Sequence, residues 1–337
     1  MITLKDVAEK AKVSEATVSL VLNNRPGVNV KTRAKVQKII DELGYSPNTI
    51  ARSLVMKKTK TLGLVVTDVE NPFFSSVIRF VSEQARRHGY VLLLAVSNDE
   101  LKLEEEILHT FIERRADGII IVPTQEIRHD FSVFEILEKR NIPIVFATSF
   151  YPGLPRSCVL TDYEKGSYKM TKYLLELGHR KIFHLVSADI NAPISDFRIQ
   201  GYLKALRENG VRPENSWIKP CPKPDFASGY AAARNILEED KPDAIITLND
   251  VLALGAMKAV KEKGFPVPEE ISIAGYDDLI FSSISETPLT TIRQNIPDIA
   301  KTSVDILAEA LKGGTFQNKT VKIEPELIVR ESTGIKR

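Results

Sequence analysis

With 337 residues, 43% of them hydrophobic, the chain can bury more than one core, and two or three domains are expected. Its two cysteines, Cys158 and Cys221, are too far apart to signal a disulfide framework or a metal-binding spacing, so a reducing compartment and no metal are expected. Net charge is only +2 but uneven: residues 1–60 hold 12 Lys and Arg against 5 Asp and Glu, and the remainder 34 against 39, a basic head on a mildly acidic body that suits a polyanion bound by the head.

No uncharged run approaches the ~20 residues of a membrane span. Lys5, Asp6, Glu9 and Lys10 break any hydrophobic signal core, so a soluble cytoplasmic protein without membrane contact is expected.

The first predicted element is a helix after Thr3. Thr3 can cap it, with Asp6 three residues on in a capping-box position, and Leu4, Val7, Ala8 and Ala11 fall on one stripe. Ala11-Lys12-Val13 is short enough to be a turn. Ser14 can then cap a second helix to about Asn23, with Val18, Val21 and Leu22 inward and Glu15, Ala16, Ser19, Leu20 and Asn23 outward. A helix that displays small and polar side chains, held by a partner through a tight turn, has the geometry of a helix-turn-helix recognition element. A third helix is predicted from Val30 to Leu43, capped by Asn29 and stopped by Gly44, which completes an all-α head over residues 1–45.

Ser46-Pro47 opens a further short helical stretch through Val55, and Lys57-Lys58-Thr59-Lys60 is a charged linker. Residues 46–60 have too few apolar side chains for a core and read as a hinge that orders on binding.

From Thr61 short apolar runs alternate with helical stretches. The runs are 62–67, 90–95, 118–122, 144–147, 182–186, 244–248 and 271–274. Helices are predicted near 73–88, 100–115, 130–140, 163–177, 195–209, 226–239, 250–263 and 296–312. Strands without polar alternation, separated by helices, indicate parallel sheets covered on both faces, and this number of them suits two α/β lobes over residues 61–337. Asn71-Pro-Phe-Phe74 follows the first strand at a helix start, where open α/β sheets bind ligands; Phe73 is the candidate for stacking and Phe74 for the core.

Lys5-Asp-Val-Ala, Val13-Ser14, Ala16-Thr-Val-Ser19, Val21-Leu-Asn23, Leu43-Gly-Tyr45, Pro47-Asn48 and Ala51-Arg-Ser-Leu54, in this order and spacing, closely resemble the lac-repressor (LacI) family of bacterial transcription regulators. The resemblance runs through the rest of the chain. It implies a type I periplasmic-binding-protein-like body of two lobes, with chain crossings near 161, 290 and 322. It also implies a homodimer on double-stranded DNA with a near-palindromic operator.

Family members read the major groove with the first residues of the second helix, here Glu15, Ala16, Ser19 and Leu20. Glu can accept from cytosine N4, and Ala or Leu can touch a thymine methyl. An acid in the first helical turn also favours the helix dipole, so Glu15 has two readings. Leu20 stands where many relatives carry Arg or His, which implies a different operator. Thr3, Thr17, Asn23 and Arg25 are candidate phosphate contacts. In the family the residue matching Leu54, in the segment with Ala51, wedges into the minor groove of a kinked duplex.

By the same resemblance Arg198, Asn249 and Asp277, with Phe73, Phe226 and Gln294, hold a small effector between the lobes, of which a sugar or sugar derivative is the first expectation. A purine-type corepressor or a protein co-regulator is the alternative. Sugar-binding relatives often carry an Asp at the end of the fourth strand, where this chain has Thr148-Ser149, a departure that bears on whether a standard hexose is the effector.

Two other classes can be weighed. An enzyme would need a signature the sequence lacks: no phosphate loop, Gly-x-Gly-x-x-Gly or nucleophile elbow occurs, and the five histidines have no metal spacing, so no catalytic residue and no cofactor is expected. A sugar-capture protein would match the body but not the basic helical head.

Overall fold

The computed structural model describes residues 2–45, 58–189, 192–313 and 318–336. The chain forms two units, one ending at Thr59 and one beginning at Lys60.

The first unit contains α1 (Leu4–Ala11), α2 (Glu15–Leu22) and α3 (Val30–Leu43). Side-chain caps set each start. Thr3 and Asp6 form a capping box, Ser14 Oγ accepts from Thr17 N at 3.2 Å, and Asn29 Oδ1 accepts from Thr32 N at 2.8 Å. Lys12 ends α1 in the left-handed region and Gly44 does the same for α3, where glycine adopts that conformation without steric cost. Val7, Ala8, Ala11, Val18, Val21, Val36, Ile39 and Ile40 form the buried core, with Leu4, Leu22 and Leu43 packed at its edge. Arg33 ties the α2–α3 loop down by donating to Asn24 Oδ1 at 3.0 Å and to the Arg25 carbonyl. The hinge helix expected over 46–55 lies outside the described residues.

The second unit has two six-stranded sheets. β1 (Thr61–Val66), β2 (Val91–Val96), β3 (Gly118–Ile121), β4 (Ile144–Ala147), β5 (Ser157–Thr161) and β11 (Thr320–Ile323) pair in the order β11-β5-β4-β3-β1-β2, all parallel. The second sheet is built from β6 (Ile182–Ser187), β7 (Ile218–Cys221), β8 (Ala244–Thr247), β9 (Ser272–Asp277), β10 (Thr290–Arg293) and β12 (Glu326–Ile328). Its order is β12-β10-β9-β8-β6-β7, parallel except for the antiparallel β10–β12 pair.

The helices of the first lobe are α4 (Pro72–Arg87), α5 (Leu101–Glu113), α6 (Ser132–Lys139) and α12 (Ile296–Leu311). Alternate residues of one strand meet different helices. Leu62, Leu64 and Val66 pack with Val77 and Val81 of α4 and Val304 of α12, whereas Val65, Ile119 and Ile121 pack with Leu108 and Phe111 of α5. Both faces of the central strands β1, β3 and β4 are therefore apolar, which is why these strands read as unbroken hydrophobic runs.

The second lobe holds α7 (Tyr163–Glu176), α8 (Pro193–Glu208), α9 (Phe226–Glu239), α10 (Asp250–Glu262) and the short α11 (Ile280–Ile284). The α7–α8 approach is close enough that a Cβ at Gly201 would lie 2.0 Å from the Glu164 carbonyl oxygen, so only glycine fits.

The chain changes sheet three times, between Thr161 and Tyr163, between Arg293 and Ile296, and between Ile323 and Glu326. The second of these lies a few residues beyond 290, because β10 itself belongs to the second sheet. Five strands escaped the sequence reading: β5, β7, β10, β11 and β12. Four of them carry polar residues or proline at or next to a sheet edge, and β5 buries Ser157 and Thr161 through hydrogen bonds. Asn249 caps α10, and Asp250 is fully buried, accepting from Leu279 N, Ser282 Oγ and Thr291 Oγ1.

Candidate functional site

Two surfaces carry the chemistry, one on each unit. On the first unit Glu15 and Ala16 of α2 and its C-cap Asn23 are exposed, while Ser19 and Leu20 are half-buried. Leu20 is thus less exposed than its place in the pattern suggests, because the loop around Gly27 approaches its side chain. It stays outside the core cluster all the same.

The four candidate phosphate contacts differ in what they have free. Thr3 spends its hydroxyl on Asp6, and Thr17 Oγ1 lies 2.9 Å from Ser14 Oγ. Asn23 Nδ2 donates to the Ser19 carbonyl at 2.8 Å. Arg25 is exposed, with its guanidinium uncommitted among the described residues, so it is the candidate with most to offer a phosphate. Ala51 and Leu54 lie outside the described residues.

On the second unit a cleft of about 960 Å³ opens between the lobes. Its walls are the loops at the carboxyl ends of β1 to β4 on one side and of β6 to β9 on the other, where parallel sheets place ligand sites. The lobes also touch across it. Tyr163 donates its hydroxyl to the Thr148 carbonyl at 2.9 Å, Ser187 donates to Gln125 Oε1 at 3.1 Å, and the rings of Phe150 and Phe197 are 6.2 Å apart.

Arg198 sits on the second-lobe wall with its guanidinium 4.6 Å from the Tyr163 ring and 4.7 Å from the Tyr276 ring. Its Nε is buried and without a hydrogen-bond partner among the described residues, so its donors are available to a ligand. Asp277 lies nearby, buried, with a φ of 120°, a positive-φ backbone that residues other than glycine rarely adopt. Gln294 Nε2 donates to Asp277 Oδ1 at 2.7 Å, and Gln294 Oε1 accepts from Thr161 Oγ1 at 2.6 Å, so residues at two of the three crossings are bonded to each other and, through Gln294, to the cleft carboxyl. Burial pushes the Asp277 carboxyl well above the usual carboxylate range, and Asp250 adds to the shift against the opposing pull of Arg198.

The remaining sequence candidates are placed less directly. Asn249 lines the cleft, but its Oδ1 accepts from Leu252 N and its Nδ2 donates to the Pro224 carbonyl, so the side chain is occupied as a cap. Phe226 is 42% exposed at the start of α9 and is not among the residues lining the cleft, because the helix turns its ring outward. Phe73 is largely buried in the first-lobe core and Phe74 is half-exposed, the reverse of the sequence expectation. Both border the cleft, and their rings meet edge to face at 5.2 Å.

Sequence reasoning missed one constellation entirely. Glu104, fully buried in the first turn of α5, accepts from Tyr151 Oη at 2.8 Å, Arg128 Nη2 at 3.0 Å and Thr124 N at 3.3 Å. Arg128, also buried, lies 5.2 Å from the rings of both Phe134 and Tyr151. Arg128, Thr124 and Tyr151 border the cleft on the first-lobe side. Nothing in the spacing of residues 104, 124, 128 and 151 signals this, since each alone reads as a solvated or turn residue.

Comparison with known proteins agrees with this arrangement. The sequence matches the family described as bacterial regulatory proteins, lacI family, over residues 3–48, and a periplasmic binding protein-like domain over residues 171–333. It is 33% identical over 335 residues to the HTH-type transcriptional repressor PurR of Pasteurella multocida, covering 98% of each chain. Its structure is similar to that of the lac repressor dimer bound to operator and the anti-inducer ONPF, with a TM-score of 0.87, 29% identity and 99% of each chain covered. A transcriptional regulator CelR–cellobiose complex is similar at a TM-score of 0.74 and 27% identity, over 98% of this chain and 100% of the other.

Proposed function

The chain belongs to the LacI family of bacterial regulatory proteins, and from that membership we propose how it works. It is a DNA-binding transcriptional repressor that acts as a homodimer, and a small molecule in the interlobe cleft sets its operator affinity. The observation that carries the reading is the pairing of an exposed, well-capped recognition helix with a two-lobed body whose cleft offers a guanidinium without hydrogen bonds among the described residues.

On the head, Glu15, Ala16, Ser19 and Leu20 read base edges, and Arg25 and Asn23 hold the backbone. Leu54 and Ala51 act in the minor groove. In the body, Arg198 and Asp277 take the polar groups of a sugar-like effector while Phe73, Phe74 and Phe150 offer apolar surface to its ring. The solved relative in complex with cellobiose supports a saccharide. Rotation of the lobes about the three crossings changes how the two heads of a dimer are presented, which couples ligand to DNA. The protein works in the cytoplasm and catalyses no reaction; among the described residues no helix is long and apolar enough to cross a membrane.

The test is operator binding by the purified protein to DNA upstream of its own gene, at fixed salt, titrated with sugars, sugar derivatives, nucleosides and purines. Sequence-selective binding that one compound shifts is the expected result. Binding no tighter than to random DNA would overturn the repressor reading.

A further inference from the structure

A ligand's charge has to match the cleft that encloses it, since fixed charges at a low-dielectric wall act strongly on what enters. Carboxylates outnumber cations here. Asp68, Asp99 and Glu126 on the first lobe and Asp225 on the second all border the cleft. Each accepts a backbone N–H, from Glu70, Gln125, Leu101 and Ser228 respectively, and none forms an ion pair among the described residues. Burial, then Glu126 and Asp68, hold the Asp99 carboxyl above its ordinary range.

The cations are fewer and partly committed. Arg128 is tied to the buried Glu104, Lys223 is exposed, and Arg198, between two tyrosine rings, keeps its donors open to a ligand. A second observation is independent of this count. Helix N-termini at the carboxyl ends of strands are natural phosphate sites. At α4, α9 and α10 that position is already filled by a side-chain oxygen, of Asn71, Asp225 and Asn249, accepting from an N–H of the first turn, whereas α8, whose start at Ala192–Ser195 also borders the cleft, has no side-chain cap.

We propose that the cleft is built for a polyhydroxylated effector that carries no anionic group, either uncharged or amino-bearing, and that it excludes phosphorylated sugars, nucleotides and sugar acids by charge. This rests on the cleft being the effector site. A phosphate would bring close to two negative charges against four unpaired carboxylates.

The cleft's charge can be read without knowing the ligand. Both native cysteines are buried, so Gln125→Cys, next to Asp99 and Glu126, places a single accessible thiol on the cleft wall. Its rates with cationic trimethylammonioethyl and anionic sulfonatoethyl methanethiosulfonate are compared at low ionic strength with those of 2-mercaptoethanol. The expected cation preference over the free thiol is about 10-fold or more. Adding Asp68→Asn, Asp99→Asn and Glu126→Gln, which keep the oxygens that accept backbone N–H groups, should bring the ratio close to the free-thiol value.

A ratio at or below that of the free thiol would overturn the proposal. So would a phosphorylated sugar that shifts operator binding when its unphosphorylated parent does not. The effector reading fails separately, if a bulky neutral methanethiosulfonate adduct on the same thiol leaves operator affinity and its response to every compound unchanged.

Discussion

Replacing Arg128 by Met removes the one cation bonded to a fully buried carboxylate while keeping an unbranched apolar stem against Phe134 and Tyr151. Glu104 would keep two partners, Tyr151 Oη and Thr124 N, but no positive charge. Breaking a buried ion pair from one side costs about 3–5 kcal/mol, most of it the penalty of the stranded charge. With a urea slope of roughly 3 kcal/mol/M, the unfolding midpoint of the body should fall by about 1–2 M at pH 7.

The sign of the pH dependence follows from the carboxyl itself. Burial already holds Glu104 above its ordinary value, and losing Arg128 raises it further. A carboxyl that binds its proton more tightly in the folded state makes stability fall as pH rises from the unfolded to the folded value. The deficit of Arg128→Met against the parent should therefore shrink as pH is lowered toward 5 and grow toward pH 8. The double variant Glu104→Gln/Arg128→Met, with no charge left to strand, should recover most of the loss at pH 7. Equal destabilisation in single and double variants, flat with pH, would refute the stranded-charge argument and leave lost packing as the cause. Urea titrations followed by Trp217 fluorescence at four pH values provide the measurement.

Three further variants test other parts of the molecule. Leu54→Ala should weaken specific operator binding, by roughly 10-fold or more if the wedge supplies a few kcal/mol of contact in a kinked duplex, while ligand binding is unchanged; equal operator affinity in a filter-binding assay would remove the wedge. Arg198→Ala should abolish the effector response in that assay and leave the urea midpoint within about 0.5 M of the parent; a preserved response would show that the cleft guanidinium is not used. Gly201→Ala should destabilise the second lobe by about 1–3 kcal/mol, because the new methyl group meets the Glu164 carbonyl of α7; an unchanged midpoint would mean that the two helices separate at little cost.

Much of this architecture can be read from the residues because local signals agree with tertiary ones. Thr3, Ser14 and Asn29 cap the helices that their positions foretell, and the stripe Val7, Ala8, Ala11 is the buried one. The apolar runs at 62–67, 118–122 and 144–147 hold the strands β1, β3 and β4 because helices cover both faces. Legibility ends where a residue's role is set by a distant partner. Thr161 and Gln294 are 133 positions apart, and only the fold shows that they bond at the crossings. Glu104 sits in a helical first turn, where an acid normally serves the helix dipole in water. That it is instead buried beneath Tyr151 depends on a loop 47 residues later. Phe226 fails for the opposite reason: similarity to relatives can carry over a residue type but not the direction in which a helix start turns its ring.

The interleaved chain order also constrains how the molecule is made. The first-lobe sheet is assembled from residues 61–161, yet its covering helix α12 and its edge strand β11 are encoded after almost all of the second lobe. A ribosome therefore releases the DNA-binding head early and holds back the pieces that close the first lobe until the second has emerged. Val304 and Leu307 of α12 complete the cover over apolar residues of β1 and β3, which until then have only α4 against that face. The nascent body is thus most exposed to aggregation and chaperone capture late in synthesis, and a premature stop before Ile296 costs both sheets at once.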